Sequence, residues 1–554
     1  MRRIAPRRPN LLSRGLGYVV DAVLEAVNPK GAAERRVWRE HGHKFAGMAA
    51  GAVDRAMQNW DPPEGDANAV TLDDLPKVRA RARDSALNDP IAQTVRRTMA
   101  DHVIGTGMTP QCIVDYERLG ISKDMAEEWQ GECQAYFKLA SARADVTGRL
   151  SWQQLQRLIF LSVWDGGDVF PSYPITPDET GYKAPRINLI EAERVDTPPD
   201  RMTDASVIGG VQMDSWARLV GFWVYRGHPG ALRLSVDRSR FEFWPVVKGG
   251  RKNAIQLYHQ DRIGQARGIP GLAQALVLTD RLSAYLDETL ITARLQNAMS
   301  IWITTAGDPT KAAAALAALT GGSSNYYDAL QEAGMQSGSV NLIRKGDEAK
   351  FLGPTQPGQY TDAFMVRLLR AIAACMGAPY ELMFGDLGAA NYSSIRAGWQ
   401  TFRKTIATWQ AVVQPALDVY WQHTIQWAWL DGLLGKVGQR IPFEAAPEDW
   451  TRVTWTPPRF GYIDPTKEFP AAQVGIEIGV LSRTMFAAEA GVDIDDVTQQ
   501  LGAEKRAREE EGLEEAAASD AAGQSQGSAS EDAATGDANT EDTTDATAEE
   551  AAKP

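Results

Sequence analysis

The chain has 554 residues, a formal net charge of −13, 44% hydrophobic and 23% charged residues, enough for several domains with buried cores. Residues 509–554 hold 14 Asp and Glu against Lys553 alone, which leaves 57 acids and 57 bases for residues 1–508. A formally neutral body argues against tight nucleic-acid binding through surplus clustered cations. The three scattered cysteines, Cys112, Cys133 and Cys375, give no disulfide framework or metal-ligand spacing and point to a reduced cytosolic setting.

Residues 1–71 read as a basic, helical arm. Five arginines by Arg14 precede an apolar segment, as in a secretion signal. Asp21 and Glu25 interrupt that segment and no small-residue cleavage site follows, so an amphipathic helix is predicted instead. No run of about 18 apolar residues occurs, so no membrane span is predicted. DPPEGDANAV at 61–70 marks a linker. From Leu72 to about Met108 one long helix is predicted, with Leu87, Ile91, Val95 and Met99 four apart, a kink at Pro90 and a stop at Gly105 and Gly107. Helices over Ser122–Ser141 and Ser151–Trp164 follow.

The period then changes. INLI at 187–190, VGFWVYR at 220–226, LRLSV at 232–236 and FEFWPVV at 241–247 are short β-branched and aromatic runs separated by Gly, Pro and Asp, which predict a small mixed sheet. After QARGIPGL at 265–272, Leu278, Leu282, Leu286 and Leu290 restore the helical period. IWITT at 301–305 and SVNLI at 339–343 predict thin strands flanking an alanine-rich helix. Phe364, Met365, Leu368, Leu369, Ile372, Cys375 and Met376 then mark an amphipathic helix, with Arg367 and Arg370 on another face. A second long helix, from about Ser394 to Leu434, carries Trp399, Trp409, Trp421, Trp427 and Trp429. A last helical group lies between Asp464 and Glu515. The tail from about Ala516 has no aromatic residue and is expected to be disordered. The fold class is α+β, predominantly helical.

Motifs for chemistry are sparse. GxxxxGK[ST], HExxH and paired CxxC do not occur, so neither a phosphate loop nor a metal centre is predicted. WDGGD at 164–168 holds two carboxylates that could form an acid and base pair; a helix-to-strand turn accounts for its composition better. HGH at 41–43 has no third ligand nearby and reads as a solvent-exposed pair. GIPG at 268–271 could hold an anion at a helix N-terminus, but capping, with Pro270 in the first turn, is the favoured role. The tryptophans of the second long helix suit core or inter-subunit packing better than base stacking. No catalytic residue, metal ligand or cofactor is assigned.

The stretch GDLGAANYSSIRAGW at 385–399 interrupts a region otherwise written for helix. Its glycines, alanines, Asn391, Ser393 and Ser394 favour a projecting, mobile backbone over a packed core.

Several stretches together resemble the portal proteins of tailed bacteriophages, in the lambda-type branch. They are VIGTGMTPQ at 103–111, IEAERVDTP at 190–198, IGGVQMDSWARLVGFWVY at 208–225, QARGIPGLAQAL at 265–276, SGSVNLIRKGDE at 337–348, FMVRLLRAIAACMGAPYELMFGDL at 364–387 and NYSSIRAGW at 391–399. The match is collinear from about Leu72 to Phe460. In the family a glycine is common between the Asp and the following strand, where this chain has Ser215, Trp216 and Ala217, so a different turn is expected there. The insert at 311–319 and the acidic tail match no family pattern.

The resemblance implies a portal fold of wing, stem, clip and crown. It implies a homo-oligomeric ring, usually a dodecamer, at one capsid vertex of the virion, assembled in the host cytoplasm without membrane contact. Double-stranded DNA would pass through it, and its partners would be the terminase large subunit, the major capsid protein and scaffold, and a head–tail adaptor. By the same resemblance 72–264 is the wing, 265–300 the first stem helix, 301–357 the clip and 358–384 the second stem helix. Residues 385–394 would be the tunnel loop, with Gly385, Asp386, Leu387, Gly388, Asn391, Tyr392, Ser393 and Ser394 facing DNA. Residues 395–463 would form a long helix kinked at Pro415 and the wing return, 464–515 the crown, and 516–554 the acidic tail. The competing readings are a hydrolase using Asp165 and Asp168, and a cytosolic scaffold that holds partners on its tryptophan-rich helix.

Overall fold

The computed structural model describes residues 64–178, 180–231, 241–297, 301–304, 340–343, 361–388, 392–435, 437–458, 465–489 and 494–510. The arm at 1–63 with its HGH, the LRLSV run at 232–236, the insert at 311–319, Asn391 and the tail from 516 lie outside them.

The expected helix from Leu72 to Met108 is two helices, α1 (Leu75–Asn88) and α2 (Pro90–Val103). A proline pushes the residue before it out of the helical region. Asp89 is accordingly extended and caps α2, accepting from Ile91 N at 2.8 Å and Ala92 N at 3.4 Å. The apolar spacing therefore spans two faces: Val95 and Met99 are buried on α2, while Leu87 on α1 is 80% exposed. Strand β1 (Thr109–Cys112) follows, then α3 (Lys123–Ser141) and α4 (Trp152–Gly166). Ser122 caps α3, and Ser151 with Gln154 forms a capping box on α4.

The expected mixed sheet is two antiparallel ones. In the first, the central strand is β2 (Asp168–Ser172), flanked by β3 (Asn188–Glu191) and by the later β8 (Leu257–Tyr258). The second is a meander of β4 (Val207–Ile208), β5 (Val211–Met213), β6 (Leu219–Tyr225) and β7 (Phe241–Pro245). All five residues of β2 are buried, and side-chain alternation splits them between two cores. Val169 joins the main core with Phe160, Trp164 and Trp421. Phe170 faces the second sheet and meets Phe222 edge-on at 4.8 Å in a smaller core with Ile190, Val211 and Val224.

Helix α5 (Leu276–Asn297) leads to a parallel pair, β9 (Ile301–Thr304) and β10 (Val340–Ile343). The segment expected as a single helix through Phe384 is divided. Helix α6 (Thr361–Cys375) stops before Gly377 and Pro379, and α7 (Tyr380–Phe384) restarts after them. Cys375, placed on the apolar face by spacing, is exposed. The 39-residue α8 (Tyr392–Leu430) follows. Then β11 (Val453–Thr456) pairs antiparallel with β1, Thr109 opposite Thr456. Three helices close the described chain: α9 (Pro465–Glu477), α10 (Arg483–Glu489) and α11 (Ile494–Glu510).

GIPG does not cap a helix, since α5 begins only at Leu276. Its glycines allow close approach. Gly268 crosses Gly167 so tightly that a Cβ on either would overlap the other's carbonyl, and a Cβ on Gly271 would sit 2.7 Å from the Trp164 ring.

Candidate functional site

Helix α7 ends at Gly385, whose φ of 73° suits a residue without a Cβ. Gly385, Asp386, Leu387 and Gly388 are all exposed. The helix resumes at Tyr392, so Tyr392, Ser393 and Ser394, read from sequence as loop, have helical backbone; residues 389–391 lie outside the described set. The loop is short and its base is pinned. Met383 is buried and its carbonyl accepts from the Thr98 hydroxyl at 3.1 Å. The Thr405 hydroxyl of α8 donates to the Gly377 carbonyl at 3.0 Å, and Gly398 packs on Pro379, where a Cβ would lie 2.9 Å from the proline ring. Tyr380 donates its hydroxyl proton to Asp386 at 2.8 Å. Partial burial, then that bond, raises the Tyr380 pKa. The loop's one carboxylate is thus tied back to the helix it leaves, and the exposed Leu387 and Gly388 follow it.

Asp165 and Asp168 do not form an acid and base pair. Asp165 is held by Arg96 through contacts of 2.7–2.9 Å. Asp168 is fully buried and accepts from Arg79 (3.0 Å), twice from Arg267 (2.5 and 3.0 Å), from Gln256 (3.2 Å) and from the Gly268 amide (3.3 Å). Burial alone would raise its pKa, but Arg267 and Arg79 outweigh burial and hold it below the usual carboxylate range. Arg79 is pushed down to about 10, chiefly by burial. Arg267 also donates to the carbonyls of Val195, Gly209 and Ala192. The cluster therefore fastens α1, the α4–β2 turn, the second sheet and the approach to α5 at one point. Sequence reading missed it, because nothing local marks Arg79 and Arg267 as partners of an aspartate 89 and 99 residues away.

In α8, Pro415 is exposed within the helix and cannot donate to the Ala411 carbonyl. The tryptophans are core and near-core. Trp421 is fully buried against Phe137 at 4.9 Å, Trp409 meets Trp164 at 5.1 Å, and Trp429 stacks on Phe443 at 5.1 Å. His423, also buried, lies 3.3 Å from Arg251. Burial, then Arg251 and Lys252, push its pKa from 6.5 to about 3. The unfolded chain takes up this proton near pH 6.5 and the folded chain only near pH 3, so stability falls as pH drops through that interval, by at most about 1.4 kcal/mol per unit. His423→Gln is expected to flatten the pH dependence of the unfolding midpoint between pH 6.5 and 4. An unchanged slope would show that His423 is not held neutral.

Among the described residues no group of three or more His, Cys, Asp or Glu could hold a metal, and no helix is long and apolar enough to cross a membrane.

Residues 53–410 match the model of the family described as phage portal protein, lambda family. The chain is 24% identical over 481 residues to a probable portal protein of Halomonas phage phiHAP-1, covering 81% of this chain and 84% of that one. It is 22% identical over 490 residues to portal protein B of Escherichia phage lambda, covering 82% and 88%. Among solved structures it is similar to a chain from the neck of an empty gene transfer agent particle, with a TM-score of 0.44, 14% identity and coverage of 75% and 94%. With more than half its length matched by the family model, the chain belongs to the lambda family of phage portal proteins.

Proposed function

We propose that this head–tail connector works as a closed ring, of twelve copies by family resemblance, at one capsid vertex, and that double-stranded DNA enters and leaves through its centre. The family match carries this reading. In this assignment residues 72–264 are the wing, α5 the first stem helix, 301–357 the clip, α6 and α7 the second stem segment, and the helices after residue 464 the crown. The ring docks the terminase during packaging and the head–tail adaptor afterwards, and it performs no catalysis itself. Supporting the last point, Asp165 and Asp168 are both taken up by guanidinium groups.

The loop after α7 is the tunnel loop. A sequence without Lys or Arg from 385 to 394, on a pinned base, suits a moving polyanion, because strong phosphate contacts would retard it. The one carboxylate at the start of the loop, Asp386, is engaged by Tyr380. Native mass spectrometry with negative-stain averaging tests the ring: twelve copies of the 60.6 kDa chain give about 730 kDa around a central hole, and a stable monomer at all salt and protein concentrations would count against it. Deleting Gly388 to Ser393 is expected to spare the ring and reduce packaging or retention of DNA. Normal yields of filled heads from that deletion would remove the loop from the mechanism.

A further inference from the structure

The loop after α7 leaves the helix under two restraints of different kinds. The first lies in the backbone: Gly385 ends α7 at φ 73°, a turn that a residue with a Cβ makes only under strain. The second is a side-chain bond across six positions. The Tyr380 hydroxyl donates to Asp386 Oδ2 at 2.8 Å, and a Cβ on Gly388 would lie 3.7 Å from Oδ1 of the same carboxylate. The loop therefore folds back around Asp386, with Tyr380 on one oxygen and Gly388 near the other. Among the described residues no second donor bonds this carboxylate.

Tyr380 is itself held from three sides. Pro379 precedes it as the N-cap of α7 and packs on Gly398 of α8. The Arg370 guanidinium of α6 lies over the Tyr380 ring at 5.4 Å, a cation–π arrangement, and the Phe384 ring, one turn on, sits at 5.7 Å. The same ring packs against the main core, and Met383, next to Phe384, is fastened to Thr98 of α2. A donor fixed in this way has little side-chain freedom left to lose on bonding. Its acceptor stands on an exposed turn, so control runs from Tyr380 to the loop.

We propose that Tyr380 is the positioning residue of this loop, a latch that holds residues 385–388 in one posture beside α7 through Asp386. Breaking the bond leaves the glycine turn at 385 as the remaining restraint, and the segment swings about it. Only the consequence for DNA rests on the channel reading proposed above: a latched loop keeps clear of the duplex path, and a released one sweeps across it.

The test places a nitroxide on Leu387→Cys, a position 52% exposed, in the full-length protein carrying Cys375→Ser, because the two other cysteines, Cys112 and Cys133, are buried. In this background Tyr380→Phe keeps the ring and its Arg370 contact and removes only the hydroxyl. Tyr380→Phe and Asp386→Ala should each raise the ratio of mobile to immobile label roughly threefold to tenfold, the size of one net hydrogen bond, with oligomer mass and unfolding midpoint unchanged. The double variant should go no further than either single one, and Asp386→Asn, which still accepts, should keep most of the immobile signal. A spectrum unaltered by Tyr380→Phe, additive effects in the double variant, or a lowered unfolding midpoint would each overturn the latch, the last by making the hydroxyl part of the fold's support. Particles carrying Tyr380→Phe are expected to give fewer filled heads than wild type. A freed loop with wild-type yield of filled heads would uphold the latch and strike the channel reading, so the two failures are told apart.

Discussion

Replacing Asp168 by Asn is expected to destabilise the fold by roughly 3–5 kcal/mol. The substitution keeps size and shape but removes the carboxylate that Arg79 and Arg267 both contact, whose side chains are 6% and 3% exposed. Two guanidinium groups would then stay buried without their counter-charge, and the new amide would bring a donor to face donors. The carbonyls that Arg267 also contacts would not make up the loss, because they were already engaged. Because the folded state holds Asp168 below the usual carboxylate range, its contribution is complete above the unfolded pKa near 3.9. It is lost as pH falls through the lower folded value. Denaturant midpoints at pH 7 should therefore separate wild type from Asp168→Asn widely, and the gap should narrow in acid. A difference under about 1 kcal/mol at pH 7 would show that the carbonyls alone satisfy both arginines.

Trp421→Ala should cost a similar amount, about 3–5 kcal/mol. The ring is fully buried, packs on Phe137 of α3 and donates its indole N–H to the Thr451 carbonyl at 3.0 Å. Its removal would leave a large cavity between α3 and α8 and free a buried carbonyl. Unfolding midpoints and the yield of soluble protein both read this out. A variant with unaltered stability would contradict the packing role and return weight to base stacking by this helix.

Much of the helical layout was legible because its signals are local. Ser122 and Ser151 stand at the N-caps, and the apolar period after Leu276 sits on one helix. Errors arose where a periodic pattern ran across a backbone break. Leu87 to Met99 kept a four-residue spacing through Asp89 and Pro90, and Leu368 to Met383 stayed apolar through Gly377 and Pro379. In both places the proline was visible, and its effect on the preceding residue outweighed the pattern. The antiparallel sheets were only half legible. Strand β2 carries Asp168 and Pro171 and is buried on both faces, so it showed no alternation to read. The loop at 385–388 was legible through its glycines, while its anchors, Thr98 and Thr405, come from helices far away in sequence or on the other side of the turn.

The pairing of β1 with β11 joins residues 109–112 to 453–456, and the Trp129 indole reaches the Trp450 carbonyl across 321 positions. On the ribosome, the body of the chain therefore cannot close until residue 456 has left the exit tunnel. At about 5–20 residues per second that is tens of seconds of synthesis, with the surfaces of β1 and α3 waiting for their last partners. Long-range closure of this kind slows folding. It also acts as a checkpoint, since a chain cut short before Val453 lacks the strand that completes its own core and so reaches assembly already marked as incomplete.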